Sequence, residues 1–307
     1  MSEEQKARSL KLTVLVDNLV DIFLPDHGPC VYPKAGPCSS LWAEQGLSLW
    51  LEVTGGQGNT VKILHDFGRG GPVLNHNLKI LMPSGPQPDL MILSHGHIDH
   101  YGGLKAYLES GGRPAPLLTH PASFGSRGIR LPSGAVAGPW VFEKKSLLDW
   151  GLEVVTSPDP KCLGPGLWST GVIARESKAD VLLDRAVRWV DDNQIAPDNL
   201  EDDQALVVCL DGLGLVVVTG CCHAGVINTL DAASALFPGE PLHALIGGLH
   251  LNHLDRDQIA ALAEEVAARN PQWVLPLHCT GAMAIRTLHQ VLGERCLANT
   301  VGLRLEL

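Results

Sequence analysis

Residues 90–104 read LMILSHGHIDHYGGL, and this stretch decides the fold of the chain more than any other. An apolar run leads directly into three histidines and an aspartate within six residues. On an extended backbone, side chains two positions apart point to the same side, so His95 and His97 project together. Asp99 and His100 then turn with the chain into a following helix. All four side chains therefore come within reach of one point at the end of a buried strand.

A metal site is the chemistry that this donor set favours. Imidazole together with carboxylate suits zinc and, to a lesser degree, iron or manganese. The alternative is a polar loop whose histidines only form hydrogen bonds, and that would be the natural interpretation of a lone histidine. Four ligand-type residues beside an apolar strand favour the metal site instead.

Length, composition and charge limit the classes of protein to consider. The chain has 307 residues, of which 45% are hydrophobic, and 33 glycines, as expected of a globular α/β protein with many short strands. The formal net charge of −10 disfavours a nucleic-acid partner. No apolar run is long enough to span a membrane, and residues 1–18 lack the apolar core of a signal peptide. We therefore expect a cytoplasmic protein without membrane association.

The eight cysteines show no paired spacing of the zinc-knuckle kind. Without an export signal, they are expected to be free thiols in a reducing compartment. The sequence leaves the oligomeric state open, including a homo-oligomer.

Strand and helix patterns alternate along the chain and predict a mixed sheet in an α/β fold. Short apolar runs predict strands at 12–17, 47–53, 61–66, 89–94, 116–119, 205–210, 215–220, 243–248 and 273–277. Helical spacing predicts helices at 103–110, 224–237, 255–270 and 282–292. We expect a single domain over 1–307 with an elaborated insertion at about 121–204, which is rich in Gly, Pro, Ser and Asp and holds few periodic elements. Long loops of this kind are usually functional, so the insertion could act as a lid.

Further histidines follow other predicted strands, where α/β sheets place ligand sites. His223 and His278 have this position, and a metal at the first cluster needs such partners. For His120 and His250, a polar residue near the start of a helix is an equal alternative. No function is assigned to the remaining histidines: His27, His65, His76, His243, His253 and His289.

The chain resembles the metallo-β-lactamase-fold superfamily, whose signature is S-H-x-H-x-D-H at the end of a strand. More narrowly, a set of short motifs resembles the subgroup named for 7,8-dihydropterin-6-methyl-4-(β-D-ribofuranosyl)aminobenzene-5′-phosphate synthase. These motifs are TVLVDN, ILHDFG, SHGHIDHYGGL, GCCHAG, GGLHL and PLHCTG, which together run from about residue 12 to residue 281.

The resemblance implies a four-layer αββα sandwich with two mixed β-sheets and a dinuclear metal site at their edge. The implied ligands of the first metal are His95, His97 and His223. Those of the second metal are Asp99, His100 and His278. Asp66 would orient the site without touching a metal. The metals would be two divalent ions, with zinc preferred over manganese or iron.

One position departs from the pattern of the superfamily. Many relatives have an aspartate that bridges the two metals where this chain has Cys221. The thiol could ligate, or water alone could bridge. Just before the second predicted hairpin, Asp202 or Asp203 could reach the site, although a solvated acidic loop over 201–203 is the favoured interpretation.

The implied activity is metal-dependent hydrolysis of a small anionic phosphodiester, lactone or thioester by a hydroxide bound between the two metals. Asp99 would orient the hydroxide, His250 would contact the substrate or leaving group, and Thr280 would bind the substrate. Two alternatives remain. One is a transferase that resembles the ribofuranosyl-aminobenzene phosphate synthase of pterin cofactor biosynthesis. The other is a non-catalytic sensor of a small ligand on the same fold.

Overall fold

The computed structural model describes residues 6–181, 185–191 and 193–307. The predicted domain over 1–307 and the predicted insertion at 121–204 therefore extend partly outside the described residues, which leave out residues 1–5, 182–184 and 192.

The strands are, in chain order, β1 Ala7–Val16, β2 Cys30–Val31, β3 Ser48–Gly55, β4 Thr60–His65, β5 Leu90–Ile92, β6 Leu117–Thr119, β7 Gly125–Arg130, β8 Val136–Phe142, β9 Val154–Thr156, β10 Lys161–Gly164, β11 Leu167–Ser169, β12 Ala186–Asp191, β13 Gln194–Pro197, β14 Ala205–Leu210, β15 Gly214–Thr219, β16 Leu242–Gly248, β17 Trp273–Leu277 and β18 Arg304–Glu306. The α-helices are α1 Gly71–Leu81, α2 Ile98–Tyr101, α3 Leu104–Glu109, α4 Lys144–Asp149, α5 Val226–Leu236, α6 Arg256–Ala268 and α7 Ala282–Leu292.

In the described part of the chain, fourteen strands form one continuous mixed sheet with two halves. In the first half β1, β3 and β4 are antiparallel neighbours, and β5, β6 and β9 continue from β4 in parallel. In the second half β14 and β15 form a hairpin, from which β16 and β17 continue in parallel. A single residue pair, Ala7 with Leu210, joins the halves through β1 and β14.

The two halves pack face to face, and helices cover their outer faces. Along β14, Leu206 and Val208 belong to a core that also contains residues of β1, β3 and β4, whereas Val207 packs with the residues of α5, α6 and α7. The outer face of the first half packs in the same way on α1, α3 and α4. This alternation follows from the two-residue period of a strand. The predicted αββα sandwich is confirmed, with its two sheets joined at the β1–β14 pair.

The segment 121–204 is more regular than its composition predicts. Four of its strands form a separate antiparallel sheet in the order β13-β12-β7-β8, which we call the inserted sheet. The prediction of few periodic elements there is wrong, because these strands have glycines and charged residues where strands usually alternate apolar and polar residues. All eight cysteines are free thiols, as predicted. Among the described residues, no helix is long and apolar enough to cross a membrane.

Candidate metal centre

Every predicted ligand lies just beyond the carboxyl end of a strand, and these ends meet at one edge of the sandwich. His95 and His97 follow β5, His223 follows β15, and His278 follows β17. Asp99 and His100 lie in α2, the single helical turn that begins at Ile98. Short parallel strands that end in turns place polar side chains together in this way.

The backbone is strained around this edge. Four residues here that are not glycine have a positive φ: Asp66 (57°), Cys222 (63°), His250 (49°) and His278 (48°). Such conformations cost of the order of 1 kcal/mol or more each and persist where the surrounding structure enforces them, often at functional sites.

The first group of converging donor atoms consists of His95, His97 and His223. His223 Nε2 lies 3.1 Å from His97 Nδ1, and the centroids of the three rings are 4.7–4.8 Å apart. Two nitrogens that share one zinc ion at about 2.1 Å are separated by roughly 3.0–3.5 Å. The contact between His223 and His97 fits two ligands of one metal as well as it fits a hydrogen bond.

The second group consists of Asp99, His100 and His278. His278 Nε2 lies 3.4 Å from Asp99 Oδ2, and its ring centroid is 5.1 Å from that of His100. His100 also approaches the first group, with its ring centroid 4.2 Å from that of His95. The structure thus brings all six predicted ligands into two adjoining groups; their role as ligands remains a prediction.

Hydrogen bonds behind the cluster determine which ring nitrogen faces it. His100 Nδ1 lies 2.6 Å from the Asp66 carboxylate, which can only accept, so Nδ1 donates and Nε2 is left with a lone pair. Asp66 also accepts from the backbone N–H and the hydroxyl of Ser94. The Ser94 oxygen in turn lies 3.0 Å from His95 Nδ1. A carboxylate that orients a histidine ligand in this way is common behind metal sites.

His278 is oriented by a separate set of contacts. The Asn18 amide nitrogen donates to the His278 carbonyl oxygen, which turns the Asn18 oxygen toward His278 Nδ1 at 3.0 Å. Asp17 Oδ1 accepts from the His278 backbone N–H, and its other oxygen accepts from Asn299. His278 Nδ1 therefore donates to Asn18, and Nε2 faces the cluster.

Burial and mutual repulsion keep the first group of imidazoles neutral. Burial, followed by the charges of neighbouring histidines, holds the pKa of both His95 and His223 well below the usual value. Burial lowers the pKa of His97 to about 4, against the attraction of Asp99. At neutral pH these rings have the free lone pairs that a metal needs.

In the second group, interactions between carboxylates and histidines outweigh burial and favour the charged forms. Burial opposes the charged form of His100, but the adjacent Asp66 carboxylate outweighs it and raises the pKa of His100. Burial would raise the pKa of Asp99, yet the neighbouring His278, His100 and His97 hold that pKa well below its ordinary range. Asp99 is therefore an anion at the cluster.

The residues present fit a divalent metal. Among the described residues, the buried atoms His95 Nε2 and His278 Nε2 have no hydrogen-bond partner, and both face the cluster. A buried polar atom without a partner costs about 1–3 kcal/mol. A metal ligated by these nitrogens would remove that cost, and imidazole with carboxylate is a donor set that zinc accepts.

A buried ion-pair network supports the His95–His97 loop and was missed in the sequence. Arg127 of β7 forms a bidentate pair with Asp202, at 2.7 and 2.8 Å, and a second pair with Asp198 at 2.9 Å. Asp202 Oδ2 also accepts from the backbone N–H of Gly96 at 2.7 Å. A Cβ atom at Gly96 would lie 2.1 Å from the Ser123 carbonyl oxygen, so only glycine fits there. No pattern in the sequence links Arg127 to Asp202.

The interpretation of 201–203 as a solvated acidic loop is wrong for two of its three residues. Glu201 is exposed, but Asp202 and Asp203 are buried. Asp202 is held by Arg127, and Asp203 accepts from the backbone N–H of Ala224, next to His223. Burial first, and then the charge of Asp202, raise the pKa of Asp203 to about 7.

The cluster opens into a cleft of about 180 Å³. Five predicted site residues line it: His97, Asp99, Cys221, His223 and His250. The inserted sheet also lines it, through Gly128, Ile129, Trp140 and Ala186. The lining of this small pocket therefore combines polar groups at the strand ends with apolar groups of the inserted sheet.

The remaining predicted residues lie in different surroundings. His250 lines the cleft, with its ring centroid 4.2 Å from that of His223. Thr280 does not present its hydroxyl to the cleft: the side chain is fully buried, donates to the Leu277 carbonyl and accepts from the Leu249 N–H. The prediction that Thr280 binds substrate is therefore wrong. His120 accepts from the Ala122 N–H at the start of a 3-10 helix and belongs to no converging group of donor atoms among the described residues.

Comparison with known proteins assigns the class of fold. The family model of the metallo-β-lactamase superfamily matches residues 54–156. The crystal structure of Tm1679, a metal-dependent hydrolase of the β-lactamase superfamily, superposes with a TM-score of 0.75 and 22% sequence identity, over 97% of this chain and 99% of that one. The chain has the metallo-β-lactamase fold.

Two relatives from Methanocaldococcus jannaschii cover most of the chain. One is 7,8-dihydropterin-6-methyl-4-(β-D-ribofuranosyl)-aminobenzene-5′-phosphate synthase, which is 28% identical over 253 residues, or 81% of this chain and 85% of the relative. The other, an uncharacterised protein, is 25% identical over 255 residues, or 81% of this chain and 89% of the relative. The chain therefore resembles the synthase subgroup, as its motifs predicted.

Proposed function

We propose that the chain is a metal-dependent hydrolase of a small anionic ester, namely a phosphodiester, lactone or thioester, with two divalent ions, preferably zinc. The observation that carries the proposal is the convergence of buried imidazole lone pairs and an ionised carboxylate at the floor of a small cleft. Bound divalent ions supply an activated water and polarise the acceptor oxygen of the substrate.

The residues of the chain have separate tasks in this reaction. Asp99 lines the cleft as an anion, so it accepts a hydrogen bond from the attacking water and orients that water toward the substrate. Burial and the neighbouring His253 lower the pKa of His250 to about 3, so the ring is neutral and its N–H can donate to the leaving-group oxygen. Trp140 and Ile129 line the cleft with apolar surface, which would favour the apolar part of a substrate over water.

Metal analysis combined with a substrate panel tests this function. The purified protein is expected to contain about two transition-metal equivalents. Hydrolysis of a phosphodiester, a lactone or a thioester should be lost on chelation and restored by zinc. A metal-free protein, or turnover that is unchanged by chelation, would contradict the proposal.

A synthase-like transferase is the second candidate, because the synthase relative matches 81% of this chain. The two candidates differ in their second substrate, which is water in a hydrolase and an aromatic amine in the transferase. Incubation with a donor of the dihydropterin-6-methyl group and a 4-(β-D-ribofuranosyl)aminobenzene phosphate as the amine, the two halves of the product that the name of the relative gives, separates them. Product formation that requires the amine would favour the transferase and count against the hydrolase.

A further inference from the structure

Cys221 is placed between the two groups of converging donor atoms. Its sulfur lies within 4.8 Å of the ligand atoms of His95 and His100, and also within 4.8 Å of that of His278. The residue is 2% exposed and lines the cleft. In the described part of the chain, these groupings place Cys221 beside a member of each predicted set of metal ligands.

The direction of the thiol agrees with this placement. Cys221 Sγ lies 3.0 Å from His100 Nε2, the ring nitrogen left with a lone pair by the hydrogen bond to Asp66. Either the thiol donates to this nitrogen or both atoms face a shared ion. A sulfur and a nitrogen bound to one zinc ion at about 2.3 and 2.1 Å lie roughly 3.1–3.6 Å apart. The observed separation of 3.0 Å lies slightly below that range, so a small shift of either side chain would let both atoms bind one ion.

The two other buried thiols nearby point elsewhere. Cys222 follows directly in the chain, but its sulfur lies 3.2 Å from the Thr229 hydroxyl, inside the core between the sheet and α5. Cys279 donates to the Cys221 carbonyl oxygen at 3.6 Å and shares a group with His278 but not with His95 or His100. Of these three thiols, only that of Cys221 can reach both metal positions.

We propose that Cys221 Sγ bridges the two metal positions as a thiolate, an inference that rests on the metal centre of the proposed function but not on its substrate. When the cations bind, the Sγ–H bond breaks, the proton leaves to solvent, and two sulfur lone pairs are donated, one to each cation. A coordinating thiol is deprotonated outright by a bound dication. Because thiolate is a soft ligand, the centre prefers zinc or cadmium to manganese or magnesium.

Cobalt titration of the metal-depleted full-length protein tests the bridge. A thiolate bound to Co²⁺ gives a sulfur-to-metal charge-transfer band in the near ultraviolet, and two Co²⁺ ions that share one ligand are magnetically coupled. We expect the band to grow over both equivalents and the paramagnetic resonance signal to weaken as the second ion binds. Cys222→Ser is the matched control, since it removes an adjacent buried thiol, and it should retain the band and the coupling.

Cys221→Ser should lose the band and the coupling while its circular dichroism spectrum remains that of the wild type. A band that persists in this variant, or two uncoupled ions in the wild type, would overturn the bridge. The outcome is independent of the hydrolase proposal. Two ions bound without a contribution from Cys221 contradict only the bridge, whereas a Cys221-dependent band in a protein that hydrolyses none of the panel contradicts only the hydrolase.

Discussion

At the residue scale, Asp66 acts on the centre through its neighbours. Its carboxylate accepts from the Ser94 hydroxyl and from His100 Nδ1, and Ser94 contacts His95 Nδ1. One buried carboxylate thereby aligns a histidine from each predicted ligand set. Burial opposes the charged form of Asp66, but the nearby histidines and the hydrogen bonds outweigh it and lower its pKa. The metal-facing nitrogens are thus selected before any metal binds.

His97→Ala should abolish metal-dependent turnover and leave the fold intact. His97 belongs to none of the three apolar cores, and its nitrogen is one of three in the first group. Its loss therefore removes a ligand without opening a cavity in a core. Metal content, activity and thermal unfolding of the variant measure the effect. His289→Ala, at an exposed position of α7, is the control. Unchanged turnover in His97→Ala on a verified substrate would refute the role of this residue.

Acid should release the metal of the first group, held by His95, His97 and His223, at an unusually low pH for a histidine site. A metal needs the neutral imidazole, so protons compete with it only as the pH approaches the imidazole pKa. Burial lowers the pKa of His97 to about 4, and the pKa values of His95 and His223 are also lowered. We expect the equivalent held by the first group to stay bound from about pH 7.5 to about pH 5.5 and to be lost below about pH 5, whereas the second group, in which the pKa of His100 is raised, should release its metal at a higher pH. Dialysis and metal analysis at each pH measure this, and loss of both equivalents already near pH 6.5 would contradict it.

At the scale of elements, one strand of the inserted sheet supports the metal-binding loop. Arg127 extends from β7 to Asp202, which lies just before β14, and Asp202 in turn holds the Gly96 N–H between His95 and His97. Segments that lie far apart in the sequence therefore meet directly behind the first group of ligands. The loop is held by a charged network as well as by its own turn.

Arg127→Met should destabilise the protein by about 3–5 kcal/mol, because two buried carboxylates would lose their only cationic partner among the described residues. Arg127 is 2% exposed, so water cannot replace the guanidinium. Denaturant unfolding of the metal-loaded protein measures the change, and a zinc titration should also show weaker binding. Lys145→Met breaks the exposed Lys145–Asp149 pair and serves as the control, with an expected change below about 1 kcal/mol. Equal effects of the two substitutions would show that the buried network contributes little.

The sequence predicted those parts of the architecture that leave a signal in neighbouring residues, such as an apolar run followed by a ligand-type residue. His95, His223 and His278 each follow an apolar strand. Their positions at one edge of the sheet could therefore be predicted from the apolar runs that mark the strands and from the order of those strands along the chain. The Arg127–Asp202 pair joins residues 75 positions apart, across strands whose glycines and charges hide their period. The failed prediction for Thr280 has a similar cause, since a hydroxyl that caps a tight turn looks the same in sequence as one that faces a ligand. Long-range pairing and side-chain direction are tertiary properties.

At the scale of the whole molecule, the sandwich and the inserted sheet contribute chemically different residues to the cleft. The sandwich lines the cleft with polar groups from its strand ends, and the inserted sheet lines it with Ile129 and Trp140. Arg127 and Trp140 are cross-strand partners in register, so the strand pair that anchors the sheet also positions the ring. The apolar part of the cleft lining therefore depends on how the inserted sheet is attached. We propose that this sheet acts as a lid.

Trp140→Ala should raise KM several-fold and change kcat little, because the indole lines the cleft and we expect it to contact a part of the substrate that is not transformed. An interaction that is equal in the ground state and the transition state affects KM with little effect on kcat. Steady-state kinetics on the substrate found in the hydrolysis panel measure both constants. Trp150→Ala is the matched control, since Trp150 lies just after α4 in the same segment and does not line the cleft. If the two variants have the same KM as the wild type, the inserted sheet covers the site without contacting the substrate. A fall in kcat alone would instead place the indole beside the reacting atoms, because only contacts made in the transition state have that effect.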